Sequence, residues 1–260
     1  YWEDNPEQRA KYGRQLIKFA STYNGIFNSS SRNDSLNKLE DYVNNFKLNN
    51  YTTRWEDYYS RDKIKDINDK STLTNKENST IKFLKLLKNK GQETLLDIAA
   101  NEGWFSIVAE SMGYKVVAFD YDERAINNLY NKIKNTGKRI LPIVMDFTKL
   151  TRVFGIQNNW PSATIRYKCD VTLSMAIIHH LSLGQNVRFE EFAKKLELLT
   201  KNYAIVEFIG VDDEHIQNWL KGKDWYNETN FMNAMNKHFT LDHTSISEPK
   251  TRKVFLFSKK

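Results

Sequence analysis

The sequence predicts an α/β protein: a doubly wound, mostly parallel seven-stranded sheet closed by a C-terminal antiparallel hairpin, with an N-terminal helical extension. Three observations carry this expectation. The apolar run Thr94-Leu-Leu-Asp97 leads through a turn of small residues into an amphipathic stretch, and a second apolar run then ends in Asp120. The alternation of apolar runs with amphipathic stretches continues to residue 239, as expected for helices that cross between parallel strands. Two β-patterned runs, residues 240–245 and 254–257, flank Glu248-Pro249-Lys250-Thr251 and read as a hairpin.

Residues 1–79 read as a helical extension and residues 80–260 as the main domain. In the extension, Tyr12, Leu16, Phe19 and Tyr23 recur at helical spacing, and so do Leu36, Leu39, Tyr42, Val43 and Phe46. Residues 66–79 are polar and read as a linker or mobile loop. Trp2, Trp55, Tyr58 and Tyr59 are large rings in a region poor in aliphatics; they serve either to anchor helices or to form a lid over a pocket. A helix follows, with Ile81, Leu84 and Leu87 on one face, Ser79 or Thr80 as its N-cap and Gly91 at its end. The predicted strands are then Thr94–Ile98, 115–119, Ile140–Val144, 171–175 and 204–208. The predicted helices are 104–112, 123–135, Phe189–Leu199, 213–220 and 228–239.

Composition narrows the function classes. The chain has 260 residues, 40% of them hydrophobic and 27% charged, and a mean hydropathy of −0.65. No window approaches the apolar length of a bilayer span and no charged-then-apolar leader opens the sequence, so a cytoplasmic protein without a membrane partner is expected. Cys169 is the single cysteine; it excludes an internal disulfide and a cysteine-rich zinc site, and it reads as a buried structural thiol. The net charge of +7 admits RNA or another anionic partner. Basic residues are scattered, however, and a small-molecule partner is favoured over nucleic acid.

The turn and strand tips carry the chemistry. Asp97, Ala99, Asn101 and Gly103 follow the pattern of an acid and then small residues at alternate positions. Glycine accepts positive φ at such a turn, and asparagine tolerates it better than most residues. Asp120 and Asp122 end the second strand, Asp146 and Phe147 end the third, and Ser174, Met175, His179 and His180 follow the fourth. Acids at these places are alternatively readable as helix or loop caps.

This constellation, over roughly residues 80–260, resembles the class I (Rossmann-like) S-adenosylmethionine-dependent methyltransferases. The resemblance implies S-adenosylmethionine as cofactor. It implies that Asp97 supports the turn and faces the methionine amino group, and that Asp120 takes the ribose hydroxyls. It further places Asp146 at the adenine amino group, Tyr121 or Phe147 on the base, and Ser174 or Met175 near the cofactor by its backbone. Ala99 departs from the glycine pattern of the family.

The expected activity is methyl transfer to an oxygen or nitrogen of a small-molecule acceptor. His179 and His180 are candidates to take the acceptor's proton near neutral pH, and each is also readable as a packed structural residue. Glu207, a carboxylate in an apolar strand, needs a partner or a task. It is expected to bind substrate, to orient a histidine, or to pair with a cation. Adjacent histidines do not suit one metal ion, and no metal is expected. Two further readings keep the fold: an RNA or protein methyltransferase using the basic surface, and a non-catalytic scaffold. Neither an Asn-Pro-Pro-Tyr nor an Asp-Pro-Pro-Tyr motif follows the fourth strand.

Overall fold

The computed structural model describes residues 32–45 and 71–260. The chain divides into two compact units, Tyr1–Thr52 and Thr53–Lys260. In the first, helix α1 (Arg32–Asn45) matches the second helical pattern of the extension, with Leu36 and Leu39 exposed on it. The pattern from Tyr12 to Tyr23, Phe46, the rings of Trp2, Trp55, Tyr58 and Tyr59, and the lid considered for them lie outside the described residues.

Helix α2 (Asn75–Asn89) starts earlier than expected, and its N-cap is Thr74 rather than Ser79 or Thr80. The cause is a capping box: the Glu77 N–H donates to Thr74 Oγ1 at 3.3 Å, and Glu77 Oε2 accepts the Thr74 N–H at 2.8 Å. Thr80 instead donates its hydroxyl to the Lys76 carbonyl. The boundary expected between residues 79 and 80 therefore falls inside α2, and residues 75–79 of the expected linker are helical. Gly91 ends the helix region at φ +82°, the left-handed conformation glycine adopts without penalty.

The sheet contains β1 (Thr94–Ile98), β2 (Lys115–Asp120), β3 (Ile140–Val144), β4 (Cys169–Ser174), β5 (Thr200–Ile209), β6 (Phe239–Ile246) and β7 (Arg252–Lys259). Their spatial order is β3-β2-β1-β4-β5-β7-β6. The first five strands pair in parallel, and β7 runs antiparallel to both β5 and β6. Helices α3 (Trp104–Ser111), α4 (Glu123–Ile133), α5 (Ala163–Arg166), α6 (Phe189–Leu199) and α7 (Glu228–Met235) make the crossovers. The order reverses between β1 and β4, and such a switch point opens a crevice at the carboxyl ends of the strands.

Each sheet face buries its own core. On one face Leu84 and Leu87 of α2, Phe105 of α3 and Leu129 of α4 pack over Leu95, Ala118 and Leu173. On the other, Phe192 and Leu196 of α6 and Phe231 of α7 pack over Ile98, Phe119, Val206 and Phe257. Each large side chain so buried contributes roughly 1.5–3 kcal/mol. Cys169 is buried as expected, and burial pushes its thiol up to about 11.

The helix expected over 104–112 ends one residue early, at Ser111, and three others differ further. The stretch 213–220 is a 3₁₀ segment, Glu214–Trp219, started by Asp213, which accepts the His215 N–H at 3.0 Å. Helix α4 stops at Ile133 because Lys134 leaves the helical region at ψ 138°. Helix α7 stops at Met235, which frees Phe239 to begin β6.

Candidate functional site

The carboxyl ends of β1 and β2 are joined through backbone. After Asp97 the chain turns through Ala99 at φ +58°, Asn101 at φ +51° and Gly103 at φ +75°. All three lie in the left-handed region, where a non-glycine L-residue is strained by roughly 1–2 kcal/mol. The turn is held from β2: the Ala100 N–H donates to the Phe119 carbonyl at 3.0 Å, and the Asn101 N–H donates to Asp120 Oδ2 at 2.9 Å. At Gly103 a Cβ would stand 2.6 Å from Leu129 Cδ1, so a side chain there collides with the α4 core.

Strand register places the acids. Asp97 pairs with Ala118 and Leu173, and Leu173 pairs with Ile205. Side chains two residues apart share a face, so Asp97, Asp120 and Glu207 all project from the α2–α3 side. Asp97 is buried and accepts the Ser106 hydroxyl at 2.6 Å. Burial, opposed by that hydrogen bond and reinforced by the Asp120 charge, pushes its carboxyl up to about 7. Asp120 accepts the Asp122 N–H with Oδ1 at 2.9 Å. Burial raises its carboxyl too, against the pull of the Asp122 and Asn101 N–H groups. Asp122 caps α4, accepting the Arg124 and Ala125 N–H groups.

At the tip of β3, Asp146 caps a 3₁₀ turn, accepting the Thr148 N–H and hydroxyl at 2.7 Å each through Oδ1. The cap reading of this acid is therefore realised. Phe147 is buried against Phe192, with ring centroids 5.5 Å apart. Its ring belongs to the core and does not flank a surface pocket, because the 3₁₀ turn directs it inward. Tyr121 is exposed.

After β4 the chain passes through Ala176 at φ +51° and enters a π-helical turn, His180–Gly184. Strained backbone and π-turns both concentrate at functional sites. The rings of His179 and His180 are 4.0 Å apart, and Trp219 lies 6.2 Å from the first and 5.3 Å from the second. Ser174 Oγ and His179 Nδ1 are buried and have no hydrogen-bond partner among the described residues. Burial, with added repulsion from His180, Arg252 and Lys76, drives His179 down to about 2, so this ring stays neutral at physiological pH.

Glu207 orients neither histidine. It is fully buried; Oε1 accepts the Ser247 hydroxyl at 2.6 Å, and Lys76 Nζ stands 2.8 Å from Oε2. The lysine approaches off the hydrogen-bonding direction, so the attraction there is that of two charges. Of the tasks weighed for Glu207, the structure shows the cation pairing. Lys76 also acts on its surroundings: its charge favours the ionised form of Asp97 and disfavours protonation of His179. A second pair lies nearby. Although burial opposes it, hydrogen bonds from Arg252, Thr251 and the His215 N–H hold the Asp213 carboxyl well below the usual carboxylate range.

Reading the sequence alone missed Lys76, Ser106, Ala176, Trp219 and the Asp213–Arg252 pair. Only Lys76 left a signal, since it sits inside the capping box Thr74-Asn-Lys-Glu77. The others are brought to the site by crossovers that no local pattern records.

No family model matches the chain. Over 172 residues, 64% of the chain, it is 26% identical to nodulation protein NoeA of Rhizobium meliloti (strain 1021) and spans 36% of that relative's length. A crystal structure of WbdD superposes with a TM-score of 0.54 at 16% identity, over 85% of this chain and 46% of that one. The PH0226 protein of Pyrococcus horikoshii OT3 gives 0.51 at 19% identity, over 78% and 98%. Magnesium protoporphyrin IX methyltransferase (ChlM) of Synechocystis PCC 6803, crystallised with SAH, gives 0.51 at 13% identity, over 70% and 82%. At these identities the likeness is one of fold.

Proposed function

From the class I, Rossmann-like S-adenosylmethionine-dependent methyltransferase fold that the chain has, we propose that it binds S-adenosylmethionine and transfers its methyl group to an oxygen or nitrogen of a small molecule. The observation that carries the reading is the pair of buried carboxylates, Asp97 and Asp120, at neighbouring strand tips around a strained turn. A carboxyl that burial has pushed to about 7 favours a cation beside it, and the cofactor carries both an ammonium and a sulfonium. Each Asp120 oxygen already accepts one backbone N–H and keeps a lone pair for a ribose hydroxyl.

When bound, the cofactor supplies a methyl carbon made electrophilic by the sulfonium. The chain's own task is alignment and exclusion of water, and proximity accounts for much of the rate gain. Asp97, the turn through Ala99, Asn101 and Gly103, and the backbone at Ser174 would seat the methionine end. Asp120, Asp146 and Tyr121 would seat the adenosine. His180, half-buried beside Trp219, is the group to receive an acceptor proton. His179, held neutral and weakly basic, is better suited to accept a hydrogen bond. The two imidazoles and the Trp219 indole lie within 6.2 Å of one another, and aromatic rings so grouped can pack against a small ring or chain.

Titration calorimetry with S-adenosylmethionine and with its demethylated product tests the cofactor; absence of heat with both overturns the reading. Methyl-labelled cofactor incubated with fractionated cell extract tests the acceptor class. Label in the small-molecule fraction is expected, and label confined to RNA or protein overturns that half of the proposal.

A further inference from the structure

Between β3 and β4 the chain builds a projection that the sheet does not require. From Phe147 to Cys169 it carries Lys149, Arg152, Arg166 and Lys168 and no Asp or Glu. A bridge between Phe154 and Trp160 closes a short finger, with the two rings 5.8 Å apart. The finger is tied at its base. The Ala163 N–H donates to the Thr151 carbonyl at 2.9 Å, and Arg166 donates to the Pro161 carbonyl at 2.8 Å and to Thr151 Oγ1 at 3.0 Å. The Arg166 guanidinium also lies 5.2 Å from the Trp160 ring.

This ordered finger turns apolar groups outward. Ile156 is 86% exposed, Phe154 51% and Trp160 50%. Single exposed hydrophobes are ordinary, whereas a cluster on one projection marks an interaction surface. An open cleft beside the base is lined by Lys149, Arg152 and Lys195 together with Thr148 and Thr164. Lys195 is held on its wall by the Thr148 carbonyl at 2.8 Å and by Glu191 at 2.9 Å.

We propose that this finger docks the protein onto an anionic lipid surface, with Phe154, Ile156 and Trp160 entering the headgroup–acyl boundary and Lys149 and Arg152 facing lipid phosphates. Cations beside aromatic and aliphatic tips are the composition of an interfacial anchor. The aliphatic groups decide against RNA: base stacking rewards rings, whereas Ile156 gains by leaving water for an apolar phase such as the acyl region. The charge decides against a second copy, since like fingers would bring Lys149, Arg152 and Arg166 against the same cations. Among the described residues no helix is long and apolar enough to cross a membrane; surface docking needs none. The proposal revises the expectation of no membrane partner and is independent of the reaction catalysed.

Co-sedimentation of the full chain with vesicles tests it, comparing phosphatidylcholine alone with phosphatidylcholine containing phosphatidylserine. Pelleting with the anionic vesicles is expected. Phe154→Ser combined with Ile156→Asp should lower the partition by roughly tenfold or more, and Arg152→Ala by about fivefold. The changed side chains are exposed, so circular dichroism and thermal melting of both variants should match the parent. The proposal is overturned if the parent stays in the supernatant with both vesicles or if the finger variant pellets like the parent. It is equally overturned if inorganic phosphate at constant ionic strength releases the protein, which identifies a free-anion site. Finger-dependent RNA binding or self-association without vesicle binding also overturns it.

Discussion

Asp120 Oδ2 accepts the Asn101 N–H at 2.9 Å, so the tip of β2 holds the turn that follows β1. Its other oxygen holds the Asp122 N–H at the start of α4. One carboxylate thus shapes the turn and, in the proposed function, meets the ribose. Replacing Asp120 separates these roles. Asp120→Asn keeps an acceptor for one of the two N–H groups and should fold, while cofactor affinity falls roughly 10–100-fold through loss of charge-assisted hydrogen bonds. Asp120→Ala should in addition lower stability by about 1–3 kcal/mol. Calorimetry and urea unfolding on both variants read the two effects apart, and unchanged affinity in Asp120→Asn would remove Asp120 from the proposed site.

The Asp97 carboxyl titrates near 7 in the folded chain, against an ordinary value of 3.8. Between these values the folded state keeps a proton that the unfolded state has released. Stability should therefore fall as pH rises from about 4 to about 7 and show no further dependence on this group above that. Asp97→Asn, which retains a partner for Ser106, should flatten this slope, with a gain on the order of a few kcal/mol at pH 8. Chemical denaturation across pH measures it. A cationic ligand beside Asp97 should also expel the proton. Calorimetry near neutral pH in buffers of different ionisation enthalpy should then register proton release when the cofactor binds, and zero release would separate Asp97 from the ligand's charge.

The turn after β1 carries strain that single substitutions can relieve or add. Ala99 at φ +58° should accept glycine with a gain of up to about 1 kcal/mol. Gly103→Ala should cost about 1–3 kcal/mol, because the new methyl meets Leu129 and the backbone stays left-handed. Thermal melting decides, and a stabilised Gly103→Ala would contradict the geometry.

The Lys76–Glu207 pair joins α2 to the centre of the sheet. Lys76→Ala leaves a buried carboxylate without its cation and should cost about 3–5 kcal/mol. Lys76→Met combined with Glu207→Leu should recover most of that loss, since an apolar pair needs no desolvation of charge. A double-mutant cycle by urea unfolding checks the coupling, and a loss below about 1 kcal/mol in Lys76→Ala would show that the pair does not hold α2.

Much of the sheet was legible because each strand announces itself locally. Thr94–Ile98 and Ile140–Val144 begin and end where the apolar runs do. Ends set by capping were read less well. Helix α2 begins at a Thr-x-x-Glu box inside a polar stretch that resembles a linker, and the helix expected over 213–220 tightens into a 3₁₀ turn. The strand-tip acids are legible in the sequence, whereas of the two rings offered for the base, Tyr121 and Phe147, the latter lies in the core.

The order of residues was sufficient to place an acid at the tip of each of the first three strands and to mark a turn of small residues between Ala99 and Gly103, because side-chain alternation and turn chemistry act over a few neighbours. It was silent on the partner of Glu207, on the ring that faces the two histidines, and on the outward aim of Ile156. Those were decided by folding alone: a buried charge takes whichever cation the crossovers deliver, and a side chain's exposure depends on what the distant chain leaves uncovered.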